Sequence, residues 1–217
     1  MRDKRSNTKQ LFIIVLLVGV FGITVGFAAF SSVLNIESNA LVEPDPNSFR
    51  VVFSASKDEL IYDVVPVYSD GILNAETAKI DNSNDSTISN LSATFTEPGQ
   101  KVEYHFFARN IGEYDAYLKN IIFLNATSGN NHKICTPVVG TSAELTEQAC
   151  NDINLKIKVG TEEFTSKGIT NIFNHTLLKK RMEEVVVVIE YASDGARADG
   201  DFSVEFGNIT LNYSSVD

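Results

Sequence analysis

The sequence predicts an all-β protein, an antiparallel β-sandwich of the jelly-roll or immunoglobulin-like kind, behind an N-terminal apolar signal helix. Three observations point there. Apolar residues recur with a period of two through most of the chain beyond Phe30, the pattern of strands with one buried face. Clusters of Gly, Pro, Asn and Asp punctuate those runs. No long helical pattern alternates with the strands, so packed antiparallel sheets are expected rather than a parallel βαβ arrangement.

The N-terminus is read first. Leu11 to Phe30 carries no charge, and its length is about that of the roughly 20 apolar residues that span a bilayer. Before it stand Arg2, Lys4, Arg5 and Lys9 against Asp3, the basic flank of an export signal. Gly26-Phe27-Ala28 is a small-x-small triplet that a signal peptidase accepts, so cleavage after Ala28 is expected, with Ala29 as the new N-terminus. The competing reading is a permanent signal anchor. The domains are therefore residues 1–28 as signal peptide or anchor and 29–217 as one exported domain, long enough for a core of its own.

The strands follow in order. "VLNIESNALV" puts Leu34, Ile36, Ala40 and Val42 on one face, and "EPDPN" then breaks the run. "FRVVFSA" groups Phe49, Val51, Phe53 and Ala55. "IYDVVPVY" is another strand, which Pro66 demotes towards an edge because proline offers no ladder donor. "DNSNDS", Asp81 to Ser86, has no core-forming residue and reads as a solvated loop. Further strands are expected over 88–95, 101–109, 116–124, 153–159, 183–191 and 202–213. Two segments read as short helices. One is Thr141 to Cys150, with Thr141 and Glu144 in capping-box spacing; the other is "NHTLLKKRMEE", 174–184.

Charge excludes one class of partner. The whole chain carries a net charge of −10, and removing residues 1–28 takes four of its 18 basic and one of its 28 acidic residues, leaving −13. Phosphate neutralisation needs clustered Lys and Arg, so no nucleic acid is expected as a partner. The two cysteines, Cys135 and Cys150, enclose a short polar stretch, and in an oxidising exterior they are expected to pair; two unpaired thiols are the competing reading.

Chemistry-bearing residues are few. His105, His132 and His175 lack metal-ligand spacing such as H-E-x-x-H, and His105 lies on the strand face opposite Tyr104 and Phe106, which makes it a solvent-facing histidine. Asp194, Asp199 and Asp201 in "DGARADGD" suggest calcium, yet the loop lacks EF-hand spacing and a plain hairpin connection competes. No G-x-S-x-G elbow is present. No catalytic residue, resident metal or cofactor is expected. Tyr62, Tyr114 and Tyr117 are candidates for an adhesin or carbohydrate-binding surface, although aromatics at alternating strand positions more often serve a core.

One stretch supports a family resemblance. In "LSATFTEPGQKVEYHFFARNIGEYDAYLKNIIF", Leu91 to Phe123, a Pro98-Gly99 turn launches an alternating strand that ends at Asn110-Ile111-Gly112 and restarts as a second strand. This resembles the Pro-Gly-Asp, strand, Asn-x-Gly, strand signature of the TasA/camelysin family of exported Gram-positive proteins, with Gln100 where an acidic residue is usual. Ala28, Ala29 and Phe30 are similar to the end of that family's signal peptides, and "VVVVIEY" and "DFSVEFGNITLNY" to its closing strands. The resemblance implies processing by a SipW-type signal peptidase and a structural role on the cell surface or in the biofilm matrix. It also implies fibre formation, in which an N-terminal strand of one subunit completes the sheet of the next. The segment from Ala29 to Val42 is physically suited to this, because a free strand can satisfy an open sheet edge. Expected partners are thus the signal peptidase and further copies of the chain, with the membrane touched only through the N-terminal segment before cleavage. The rival functions are a membrane-anchored surface adhesin or ligand-binding sandwich, and a camelysin-like metalloprotease.

Overall fold

The computed structural model describes residues 49–81, 86–126, 132–165 and 169–215. The chain divides into units Met1–Pro44 and Asp45–Asp217, and all described residues belong to the second. The expected cleavage site at Gly26, Ala28 and Ala29 lies outside the described residues, as does the expected assembly strand with Leu34, Ile36, Ala40 and Val42.

The described residues of the second unit are mostly β, antiparallel sheets packed together with one short helix. Its elements are β1 Val51–Ser54, β2 Asp63–Val64, β3 Pro66–Tyr68, β4 Asn74–Ala75, β5 Ala78–Ile80, β6 Thr87–Ser89, β7 Leu91–Phe95, β8 Lys101–Asn110, β9 Ala116–Phe123 and β10 Lys133–Pro137. After helix α1, Ala143–Asn151, come β11 Ile153–Val159, β12 Glu162–Phe164, β13 Ile169–Leu177, β14 Met182–Tyr191, β15 Phe202–Phe206 and β16 Ile209–Ser214.

The first sheet runs β1-β8-β14-β11-β12, with β3 also on β8; the second runs β13-β9-β16-β6-β5-β2; the third runs β10-β15-β7-β4. The period-two reading holds throughout β8; in β9 the buried face slips by one residue between Leu118 and Ile121, where its pairing shifts register, and in β14 Val188 is buried out of phase. In β8, Val102, Tyr104, Phe106, Ala108 and Asn110 are buried while their neighbours are not. One apolar cluster draws from all three sheets. Within it Tyr191 of β14 meets the rings of Phe95 on β7 and Phe202 on β15 edge-on at 6.1 and 5.5 Å, joining the first sheet to the third in the geometry aromatic quadrupoles favour.

The structure corrects four expectations. The runs 88–95 and 202–213 are each two strands. They break side by side, because β6 pairs with β16 in the second sheet while β7 pairs with β15 in the third. Asn90, at φ 59°, turns one chain; opposite it stands Gly207, where a side chain would collide with the carbonyl oxygens of Leu124 and Asn125. Similarly, 61–68 is divided. Asp63–Val64 pairs with β5 and Pro66–Tyr68 with β8, so the chain changes sheets at Val65. Pro66 is at a sheet edge as expected, since among the described residues β3 pairs on one side only.

The third correction is the helix expected over 174–184. Backbone pairing of β13 with β9 carries the strand to Leu177, a turn follows, and β14 begins at Met182. The apolar register of two long strands outweighs the local helix propensity of the Leu, Lys and Glu residues between them. The fourth is the cap of α1. The hydroxyl of Ser142, not that of Thr141, accepts from the Leu145 amide, while the Thr141 hydroxyl donates to the Asp201 carbonyl at 2.9 Å. Strands β10, β13, β4, β5 and β12 were outside the sequence reading.

Candidate functional site

Two residues that end strands organise the turns of the fold. Asn110, 1% exposed, closes β8. Its amide donates to the carbonyls of Tyr114 (2.8 Å) and Leu177 (3.0 Å), and its oxygen accepts from the Gly112 amide at 3.1 Å. The Asn-x-Gly spacing is thereby explained, since the side chain satisfies backbone groups where the chain leaves one sheet for the other. Gln100, 3% exposed, does the same at the other end of β8. Its oxygen accepts from the amides of Thr96 (2.8 Å) and Glu97 (3.2 Å), and its amide donates to the Thr96 hydroxyl at 2.7 Å. A carboxylate there could accept the two amides and lose only the donor.

The most exposed apolar stretch flanks β3. Leu60, Ile61, Val65, Val67, Tyr68 and Leu73 are all large, apolar and exposed, and Val65, Leu73 and Val67 are the barest of the six at 71%, 62% and 60%. Along β8, β1 pairs with Phe107–Asn110 and β3 with Val102–Tyr104, so the two short strands lie end to end on one side of it. Among the described residues neither β1 nor β3 has a second strand partner. An edge with apolar side chains and no lysine between Leu60 and Asp70 is one that a further strand can extend.

Across the sandwich, four side chains gather between the first and second sheets. His175 of β13 has Nε2 2.8 Å from Glu183 Oε2 of β14 and Nδ1 3.4 Å from Glu162 Oε1 of β12. The hydroxyl of Tyr213 on β16 donates to Glu183 Oε1 at 3.2 Å. The hydrogen bond to Glu183 holds the His175 pKa above the ordinary imidazole value against the opposing pull of burial, with Glu162 adding to the rise. Burial, with Glu183 beside it, pushes the Tyr213 hydroxyl well above the usual phenol range. Sequence reading missed this group, whose members come from four different strands and whose only signal was an alternation that brings Glu183 onto the core face of its strand.

Cys135 of β10 and Cys150 of α1 form a disulfide with Cα atoms 6.0 Å apart. Beside it a cavity of about 720 Å³ opens between β10, α1 and β11, with Lys133, Glu147 and Leu155 in its walls. His132 lines it too, and does not meet the other two histidines. His105 projects from the outer face of the first sheet, its ring nitrogens 3.0 Å from Glu184 and 3.3 Å from Glu103. Asp199 accepts the Ser142 amide at 2.8 Å and the Asp201 carbonyl accepts Val138 and Thr141, so this part of the loop docks the start of α1; Asp194 lies in the same loop. Among the described residues no three His, Cys, Asp or Glu side chains are grouped to hold a metal ion. Tyr62 packs partly against the core, Tyr117 lies under the Lys119 ammonium at 5.6 Å, and Tyr114 is exposed; they form no common platform. Among the described residues no helix is long and apolar enough to cross a membrane. No family model, curated protein or solved structure matches this chain.

Proposed function

We propose that the chain is a non-enzymatic, exported structural protein of the cell surface or extracellular matrix, similar to the TasA/camelysin family, whose mature N-terminal strand adds to the sheet of another copy. Its fold is read as an immunoglobulin-like or jelly-roll sandwich. The observation that carries the proposal is the apolar, one-sidedly paired edge formed by β3 and its flanks. The period-two face of Leu34, Ile36, Ala40 and Val42 matches such an edge, because backbone bonds supply affinity and alternate side chains set register. The disulfide fits an oxidising exterior. Catalysis is disfavoured by the use of His105 and His175, whose rings each lie between two carboxylates, Glu103 and Glu184 for His105 and Glu162 and Glu183 for His175.

Electron microscopy and light scattering of mature protein, residues 29–217, test the reading. Fibres are expected from the mature chain, and monomers from a version lacking residues 29–42. Val67→Lys on β3 is expected to slow assembly with the fold intact. Assembly of the truncated protein at the wild-type rate would overturn the proposal. Export is expected to leave Ala29 as the first residue in N-terminal sequencing, and recovery of uncleaved chain in the membrane fraction would instead support an anchor.

The rival reading, a ligand-binding surface domain, is favoured by the cavity beside the disulfide, which lies in the size range of small-molecule sites. Saturable binding of small molecules that is lost in Ala143→Trp, at the cavity wall, would support it.

A further inference from the structure

The polar group between the sheets links the short strand β12 to the body of the fold. β12 is three residues long and, among the described residues, pairs only with β11, through Ile157↔Phe164, Lys158↔Glu163 and Val159↔Glu162. Glu162 and Glu163 are exposed and Phe164 half-buried, so little apolar burial holds the strand in place. Strands of this kind open locally at small free-energy cost. The Glu162–His175 contact is one that crosses from β12 to the second sheet.

The chemistry of the imidazole makes that contact conditional. A protonated ring donates from both nitrogens and can hold Glu183 and Glu162 together. A neutral ring has one N–H. It is retained at Nε2, where Glu183 is nearer at 2.8 Å and only 15% exposed, and where Tyr213 fixes the other carboxylate oxygen. The Nδ1 lone pair then faces Glu162 Oε1 at 3.4 Å, and acceptor meets acceptor. Glu162, 47% exposed, is free to swing into water.

We propose that His175 is the pin of a pH-operated clasp: doubly protonated it fastens β12 to the second sheet, and neutral it releases β12 and uncovers the edge of β11 to a strand from a second copy of the chain. The last step rests on the assembly reading above. The elements packed on the ring present few other charges. β14 offers Glu183, β16 offers Tyr213, β12 offers Glu162, the partner of His175 on β9 is Leu118, and the turn before β12 brings Gly160 close to the ring. Glu163 points elsewhere, 3.7 Å from Lys158. The raised pKa of His175, due foremost to Glu183, moves release above the ordinary imidazole range.

Amide hydrogen exchange of the mature chain, at a concentration where light scattering finds monomer, tests the clasp between pH 5.5 and 8.5 after correction for intrinsic exchange. Protection of Glu162–Phe164 is expected to fall about fivefold across the range, the size of effect that loss of one half-exposed ion pair produces. Glu162→Gln is expected to flatten the profile, because an amide can accept from the protonated ring and donate to the neutral one. Its site is exposed, so the variant should fold. A change under about twofold in the wild type, or an unaltered profile in Glu162→Gln, overturns the clasp. If exchange responds and the fibre growth rate does not, the clasp stands and its role in strand addition is overturned. If truncation of residues 29–42 leaves growth untouched, it is the assembly reading that fails.

Discussion

His175 Nε2 lies 2.8 Å from Glu183 Oε2, and the pair joins β13 to β14 across the gap between two sheets. The two residues are only eight apart in sequence, on either side of the turn that carries the chain from one sheet to the other. The contact therefore ties the ends of that turn, and its charge state enters the stability of the whole fold.

The sign of that dependence follows from the direction of the shift. The folded imidazole holds its proton more tightly than the unfolded one, so the contribution is fully present below the unfolded value of about 6.5 and is lost as pH rises through the higher folded value. Urea midpoints are expected to decline over that window. His175→Gln should remove this part of the decline and cost about 1–3 kcal/mol at pH 6, since Glu183 loses its charged partner while remaining mostly buried.

Asn110→Ala should be among the most damaging polar substitutions. It removes the donor to the carbonyls of Tyr114 and Leu177 at a site 1% exposed, while the Gly112 amide keeps its bond to the Arg50 carbonyl. A loss of about 2–3 kcal/mol is expected, lowering the melting temperature by about 5–10 °C in calorimetry. Asn110→Asp should recover little, because a carboxylate cannot donate to the two carbonyls.

At the opposite end of β8, Gln100→Glu and Gln100→Ala are expected to separate. The carboxylate keeps both amide contacts and should cost under about 1 kcal/mol, whereas alanine leaves the Thr96 and Glu97 amides unanswered and should cost about 2 kcal/mol. Gly71→Ala should also destabilise, because Gly71 sits at φ 84° and its new methyl group would press on the Gln100 amide. Chemical denaturation of the three variants checks the order.

Replacing Cys135 and Cys150 together with serine should cost about 3 kcal/mol, the chain-entropy value for a loop of about 15 residues, and lower the melting temperature by about 6–12 °C. Intact mass before and after reduction should differ by two hydrogen atoms, since each sulfur gains an electron and a proton. Quantitative thiol labelling without reductant would refute the bridge in solution.

Much of the fold was legible because period-two burial is a local property. Val102, Tyr104, Phe106 and Ala108 announce the inner face of β8 whatever they pack against, and Ile153–Val159 does the same for β11. The disulfide pairing was legible too, since two cysteines permit a single bridge. The tertiary structure alone decided where a run divides between sheets. Asn90 and Gly207 break their strands together because each strand pairs with the other on both sides of the bend, and a partner more than a hundred residues away leaves no mark on a sequence window. It likewise turned 174–184 from expected helix to strand, turn and strand, because registered pairing with β9 and β8 outweighs local propensity. The candidate sites divide the same way. The assembly segment Leu34 to Val42 is written in the sequence as an alternation, but the edge proposed to receive it becomes visible only when β1 and β3 are laid along one side of β8. His175 and the three side chains around it come from four strands of two sheets, and no spacing along the chain could bring Glu162, Glu183 and Tyr213 to one imidazole.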